Sequence, residues 1–334
     1  QRQMCIRDRV DAFLEAFKTA TYDEFEQMVL TLQSYIKEGT AGSVTLSGQE
    51  FALAAEKTGK AATLEGVFSV AGSEKWTYGD HFVNIAVDAI FPDSKAAGEA
   101  TLEQLQAGKG AFEAYAKALD LKTANATTPR GPELINATTN GYDPSVATFA
   151  NSKAIFLKQG NWAYENIKKA NADIVDTLTF LPIKMPFTQD DIKVEGLTVE
   201  HMLESIPVFV PNYYCINDKV SDEEKELAEE FLVWLNTTEA GQKFVVEEMS
   251  FIPYNADPAT TSAGYSLGDS IISYMAADKT LTNAYAGAPK GWATDNFGLQ
   301  MMENYVNTAE WPETAYSDIA DYAISSWAEM AGLE

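Results

Sequence analysis

The sequence contains few of the residues that bind metal ions or form covalent crosslinks. Its 334 residues include two cysteines and two histidines. The cysteines are Cys5 and Cys215, and no Cys-x-x-Cys pair or Cys/His cluster occurs. A zinc site is therefore not expected, and neither is a disulfide, because Cys5 falls in an unusual first segment. We expect no metal ion and no cofactor.

Basic residues are also scarce, and no hydrophobic run is long. The 24 Lys and Arg residues face 49 Asp and Glu residues, so the net charge is −25. Nucleic acids and anionic membrane surfaces need a basic patch, and neither is expected as a partner. No apolar run reaches the roughly 20 residues of a membrane-spanning helix. Hydrophobic residues nevertheless make up 46% of the chain, and its length predicts a packed protein of two lobes.

The first nine residues differ in composition from everything that follows. The segment from Gln1 to Arg9 holds three arginines at the start of an otherwise acidic chain. It resembles translated adapter sequence. We therefore interpret residues 1–9 as a non-native leader and leave them out of the fold prediction.

One stretch, residues 151–167, combines a strand, a break and a helix within a short length of chain. Ala154 to Leu157 is an apolar run of strand length, Gly160 interrupts it, and a helix is expected from Trp162. This order places Trp162 at the carboxyl end of a strand, where open α/β sheets bind ligands. An indole offers a flat apolar face and one N–H donor, which suits stacking on a sugar ring. The alternative is that Trp162 fills a core.

Strand and helix signals alternate along the rest of the chain. Capping-box sequences at Thr21 and Ser221 predict two helix starts, since each is followed three residues later by Glu. Short apolar runs predict strands over residues 44–48 and 177–182, and helical spacing predicts a helix over residues 82–90. The alternation predicts the α/β class.

Four segments in a fixed order resemble one protein family. They are Thr21-Tyr-Asp-Glu-Phe25, the Trp76-to-Phe82 loop with Gly-Asp-His-Phe at its end, residues 149–162 with Gln-Gly-Asn-Trp, and residues 221–253. The chain resembles the extracellular solute-binding proteins of carbohydrate ABC transporters, the broad group that includes maltose-binding protein. One departure is Ser152, which stands where this family usually has Gly.

The resemblance implies a two-lobed periplasmic-binding-protein fold of type II. Lobe two would comprise residues 10–208 and 285–334, and residues 209–284 would be the returning part of lobe one. Family members carry about one further domain's length before the Thr21 helix, including the signal or lipoprotein sequence. The expectation is therefore an amino-terminally truncated fragment of a monomeric protein located outside the cytoplasm, either periplasmic or lipid-anchored at the outer face of the membrane.

The resemblance also implies a function and a set of ligand-binding residues. The protein would bind a sugar or oligosaccharide in the cleft between the lobes and deliver it to the permease subunits of the transporter. The family's stacking positions fall on Trp76, Trp162 and Trp292. The expected hydroxyl partners are Asp80, Asn161, Asn212, Tyr213 and Tyr214. No residue is expected to be catalytic.

Other interpretations of the same residues remain open. A sugar-sensing or surface adhesion module could use the same fold. A glycoside-active enzyme needs two carboxyl groups, and 49 carboxylates do not exclude such a pair by number. No Ser/His/Asp arrangement or phosphate loop is visible, however. Asp80 could cap the following helix instead of binding a hydroxyl, and His81 could order its own loop.

Overall fold

Helices form most of the chain, of which the computed structural model describes residues 2–208, 214–249, 251–252, 256–257 and 259–333, with the backbone alone for residues 2–8. The first helices are α1 (Arg2–Thr19), α2 (Tyr22–Glu38), α3 (Asn84–Ile90), α4 (Ser94–Gly98), α5 (Leu102–Ala107), α6 (Lys109–Ala124), α7 (Ala137–Asn140) and α8 (Tyr142–Ala150). The later ones are α9 (Tyr164–Ala170), α10 (Val199–Glu204), α11 (Asp222–Thr237), α12 (Glu239–Glu247), α13 (Ser266–Ala276) and α14 (Ala315–Ala331). Helix α1 begins inside the segment 1–9 that was left out of the fold prediction.

The strands are short and pair two by two. They are β1 (Ser43–Leu46), β2 (Gln49–Ala52), β3 (Gly66–Ser69), β4 (Ala154–Leu157), β5 (Ile206–Pro207) and β6 (Thr280–Leu281). The β1–β2 pair is an antiparallel hairpin, while β3–β4 and β5–β6 are parallel. The predicted strand from Ala154 to Leu157 is confirmed residue for residue. Helices together with parallel strands confirm the α/β class.

The two predicted capping boxes are present. Thr21 Oγ1 accepts the Glu24 N–H at 3.3 Å, and the Glu24 carboxylate accepts the Thr21 N–H at 2.9 Å. The same reciprocal pair forms between Ser221 and Glu224 at the start of α11. Each box provides acceptors for backbone N–H groups that have no partner within the helix, so these helix starts are fixed by local chemistry.

The strand predicted over residues 177–182 is wrong. Residues Ala172–Thr177 form a 3-10 turn that begins where Asn171 Oδ1 accepts the Asp173 N–H at 3.1 Å. The backbone beyond this turn is bonded by side chains of α13: the Phe180 N–H donates to Ser270 Oγ at 3.0 Å, and the Phe180 carbonyl accepts from Tyr274 at 3.2 Å. These bonds replace a strand ladder, because a buried backbone needs partners but not a particular kind of partner.

The main core lies where α3, α6 and α14 meet, and α6 packs along α14. Its largest fully buried side chains are Tyr78, Phe82, Phe91, Phe112, Tyr115, Trp292, Phe297 and Trp327. A second core joins residues of α8 and α9 with Ala263, Tyr265 and Leu267. Residues 263–272 therefore pack on residues 146–175. The resemblance implies that the first segment belongs to lobe one (residues 209–284) and the second to lobe two (residues 10–208), so this core joins segments expected in different lobes.

Helices α11 and α12 pack chiefly against each other. On α11 the side chains of Leu227, Phe231 and Trp234 form one stripe at i, i+4 and i+7 spacing, and all three are exposed. Their exposure distinguishes this pair from α6 and α14, whose apolar stripes are buried. None of the described helices is both long and apolar enough to cross a membrane.

Replacing Ser152 by glycine should stabilise the fold. Ser152 has a φ of 60°, in the left-handed region where a Cβ is strained. We expect Ser152→Gly to raise the free energy of unfolding by about 0.5–1 kcal/mol in urea titrations. Ser47 (φ 48°) is the control, because its hydroxyl also donates to the Ala16 carbonyl at 3.0 Å. Ser47→Gly loses that bond and should gain less. A less stable Ser152→Gly variant would contradict the explanation.

Asp88 should make the fold less stable as the pH rises. Its side chain is 3% exposed, and burial raises its pKa to about 8, against the hydrogen bond from the Ala284 N–H at 3.0 Å. The folded state therefore holds a proton that the unfolded state releases near pH 4, so stability falls as pH rises through 8. Asp88→Asn keeps the acceptor and cannot ionise. In urea unfolding, the wild type should lose about 4 kcal/mol more stability than Asp88→Asn when the pH is raised from 5 to 9.

The control for Asp88→Asn is Thr282→Val, which removes the hydroxyl 3.4 Å from the Asp88 carboxylate but keeps the ionisable group. Because the Thr282 hydroxyl lowers the pKa of Asp88, this variant should lose more stability at pH 9 than at pH 5, so its pH dependence should be at least as steep as that of the wild type. Equal slopes for the wild type and Asp88→Asn would show that Asp88 does not titrate in this range.

Candidate functional site

The candidate site lies at the carboxyl ends of β3 and β4. These strands are parallel, with Phe68 opposite Phe156 and Ser69 opposite Leu157. The chain segments that follow them therefore leave from the same edge. One carries the 3-10 turn Lys75–Thr77 and the π-helical turn Gly79–Val83, and the other carries the 3-10 turn Asn161–Ala163. This is the edge at which α/β sheets bind ligands.

Two tryptophans and a histidine meet at this edge. The Trp76 ring lies 5.2 Å from the His81 ring and 6.4 Å from the Trp162 ring, both in edge-on geometry. His81 is 4.9 Å from Trp162. Trp162 is 41% exposed, while Trp76 and His81 are partly buried. Trp76, His81 and Trp162 are called here the aromatic cluster. The Trp162 indole is exposed to solvent and packs against the rings of Trp76 and His81.

Hydrogen bonds and one glycine hold the two indoles in place. Trp76 Nε1 donates to Glu74 Oε2 at 3.1 Å, and Trp162 Nε1 donates to Gln159 Oε1 at 3.3 Å. A Cβ on Gly160 would lie 2.0 Å from the Trp162 ring, so the indole rests directly on the Gly160 backbone. The sequence break at Gly160 therefore serves the packing of Trp162 as well as the end of the strand.

Burial shifts the pKa values of two side chains at the candidate site, His81 and Asp80. It lowers the pKa of His81 to about 3, with a further contribution from the Lys158 ammonium, so the imidazole is neutral at physiological pH. Burial also raises the pKa of Asp80, and the Asp295 carboxylate adds to this while Lys158 opposes it. Asp80 does not cap α3, which follows Val83 without a side-chain cap. Asp80 thus belongs to the site's surroundings.

Asn161 contacts a residue that sequence reasoning missed. Its Nδ2 donates to the Tyr265 hydroxyl at 3.0 Å, and the Tyr265 ring lies 4.9 Å from Tyr164. Tyr265 is 104 positions further along the chain, and no local pattern around it indicates this contact. Asn161 is therefore at the site, but one of its donors is already used within the protein.

Trp292 is not at the site, and its assignment as a stacking residue is corrected. Its side chain is 0% exposed, and Nε1 donates to Ser326 Oγ at 3.0 Å. The ring stacks on Phe297 at 5.4 Å and contacts Trp327 at 4.6 Å. Helix α14, which carries Ser326 and Trp327, covers the indole completely. A buried Trp with its N–H satisfied is a core residue.

The remaining expected ligand residues lie further along the chain. Asn212 and Tyr213 fall outside the described residues. Tyr214 is described and 59% exposed, and the described contacts include none between it and the aromatic cluster. Trp76, Asp80, Asn161 and Trp162 are thus the predicted residues that the structure brings together.

Within the described part of the chain, no group of three or more His, Cys, Asp and Glu side chains is arranged to hold a metal ion. The described residues define an α/β protein with an exposed aromatic cluster at the carboxyl ends of two parallel strands. Comparison of the chain with protein-family models, curated proteins and solved structures gave no match.

Replacing Gly160 by alanine should displace the Trp162 ring. The new Cβ would overlap the indole, which is the most movable part of this contact, and the bond to Gln159 would break. We expect a changed near-ultraviolet circular dichroism spectrum and easier quenching of tryptophan fluorescence by acrylamide. In a Trp162→Phe background the difference in quenching should disappear.

Gly42 is the matched control for this experiment, because the nearest atom to a Cβ there would be 3.9 Å away. Gly42→Ala should leave the spectrum and the quenching unchanged. If Gly160→Ala also leaves both unchanged, the Gly160 backbone does not position Trp162.

Proposed function

We propose that this protein is the saccharide-binding component of a carbohydrate ABC transporter. It holds a sugar or oligosaccharide against Trp162 and delivers it to the permease subunits. The observation that carries the proposal is the exposed Trp162 indole, fixed by Gln159 and Gly160 at the carboxyl ends of β3 and β4. A large exposed aromatic that is held by specific contacts is typical of a binding surface.

The groups around Trp162 match the two kinds of surface that a sugar presents. The C–H face of a pyranose packs on an indole, and its hydroxyl groups need donors and acceptors at the ring edge. Asn161 precedes Trp162 and Asp80 precedes His81 in the chain, so an amide and a carboxyl group adjoin the aromatic cluster. His81 adds a neutral imidazole ring beside the two indoles. This mixture suits an uncharged polyol better than an apolar ligand.

The proposal includes the two-lobed periplasmic-binding-protein fold of type II, with the ligand between the lobes. Helices α11 and α12 pack chiefly on each other, which supports a body separate from the main core. Residues 263–272 pack on the second core, so the boundary of such a lobe would fall before Ala263. Lobe closure would bring groups from both sides onto the sugar. In this role the protein is a monomer outside the cytoplasm.

Removing the Trp162 ring should weaken saccharide binding more than folding. After a thermal-shift screen of mono- and oligosaccharides, the best ligand is titrated calorimetrically into the wild type and Trp162→Ala. We expect a loss of about 1–3 kcal/mol of binding free energy, the scale of a lost aromatic contact. Trp234→Ala is the matched control, because Trp234 is 42% exposed against 41% for Trp162 but lies on α11. It should bind as the wild type does.

Three outcomes would contradict the proposal. Equal affinities for Trp162→Ala and the wild type would remove Trp162 from the site. If no saccharide binds, the function itself is wrong. Release of reducing sugar that depends on one carboxyl group would instead indicate a glycoside-active enzyme, which needs a positioned acid and base.

A further inference from the structure

Lys158 directly follows β4 and lies beside the aromatic cluster. Its Nζ donates to the Thr77 carbonyl at 3.1 Å and lies 5.4 Å from the centre of the Phe82 ring. Thr77 sits next to Trp76, and His81 and Asp80 both sense the Lys158 charge. The residue as a whole is partly exposed, although its Nζ lies near the buried Phe82 ring. The Lys158 amine therefore lies at the base of the candidate binding surface.

A second lysine lies against the same phenyl ring. Lys122, on α6, is 7% exposed, and its Nζ lies 4.0 Å from the centre of the Phe82 ring and 5.6 Å from that of Tyr78. Two lysine amines thus share one ring, and burial lowers the pKa of Lys122 to about 7. A ring face stabilises a cation by far less than the loss of water costs.

Neither lysine has an anionic partner within the described chain. Every ion pair among the described residues uses other cations, including Lys75 with Asp295 at 2.6 Å and Lys153 with Glu65 at 2.8 Å. This is unusual in a chain with 49 carboxylates and 24 basic residues. Burial, and after it the charge of the nearby Lys122, lowers the pKa of Lys158 well below its usual value, and Asp80 opposes this only in part. Lys158 therefore holds its proton weakly in the protein alone, and an anionic ligand beside it would favour the protonated form.

We propose that the ligand is an acidic saccharide, with a uronic acid carboxylate that pairs with Lys158 while its ring packs on Trp162. This inference rests on the proposed function and specifies the class of saccharide. A carboxylate beside Lys158 would supply the missing partner in a site already partly shielded from water, where a charge-assisted hydrogen bond is strong. Asp80, whose carboxyl group interacts electrostatically with Lys158, disfavours a phosphate dianion more than a single carboxylate, because each further negative charge is repelled by it.

The test compares acids with neutral molecules of almost the same shape. D-galacturonate, D-glucuronate and trigalacturonate are each titrated calorimetrically against their methyl esters, with glucose 6-phosphate as a separate anion. We expect at least one acid to bind about tenfold or more tightly than its ester, and glucose 6-phosphate to bind more weakly than that acid.

Two variants of Lys158 connect the preference to this residue. Lys158→Met and Lys158→Gln should bring the affinities of acid and ester together, and both remove a poorly hydrated charge, so loss of folding is not expected. Lys153→Met is the control, because Lys153 is exposed and already paired with Glu65. It should keep the wild-type preference for the acid.

The outcomes separate this inference from the function on which it rests. If neutral saccharides bind as tightly as their acids, and Trp162→Ala weakens both, the acidic ligand is overturned and the binding function stands. An acid preference that survives both Lys158 variants also overturns it. If glucose 6-phosphate binds more tightly than every uronate, the ligand is a phosphorylated sugar instead. If no saccharide binds, acidic or neutral, both proposals fail.

Discussion

The parallel pairing of β3 with β4 is the constraint on which the candidate site depends. Two parallel strands cannot be joined by a tight turn, and here a long crossover from residue 70 to residue 153, including α3 to α8, connects them. The pairing brings Trp76 and Trp162 to one edge, although 85 residues lie between them along the chain. The crossover helices α3 and α6 also supply part of the main core, so this connection contributes to both the site and the core.

Buried charges near this core are compensated to different extents. Lys184 is 1% exposed, and its Nζ donates to the Lys18 and Leu203 carbonyls, each at 2.7 Å, near the carboxyl ends of α1 and α10. Those helix ends carry partial negative charge that stabilises a cation. Lys158 has a single carbonyl and no helix end. The contrast indicates that Lys184 holds two helices together, whereas the one hydrogen bond that Lys158 donates among the described residues goes to the Thr77 carbonyl.

The three tryptophans predicted to stack on sugar illustrate how far sequence reasoning extends. Trp76, Trp162 and Trp292 all follow glycine-containing or polar stretches, and nothing local separates them. The structure exposes Trp162, partly buries Trp76 and buries Trp292 entirely. The difference for Trp292 comes from α14, which begins more than twenty residues later and closes over the ring. The local sequence around an exposed tryptophan and around a buried one can be alike. Only the position of the helix that covers the ring distinguishes them.

Sequence by itself determined the features whose partners lie within a few residues. These are the capping boxes at Thr21 and Ser221, the strand from Ala154 to Leu157 and the break at Gly160, because a cap or a turn is satisfied by its own neighbours. Only the tertiary structure decided the irregular path of residues 177–182, the bond from Asn161 to Tyr265 and the bond from Lys158 to the Thr77 carbonyl. Each of these depends on which distant segment supplies the hydrogen-bond partner of a polar group. The local sequence pattern does not indicate that segment.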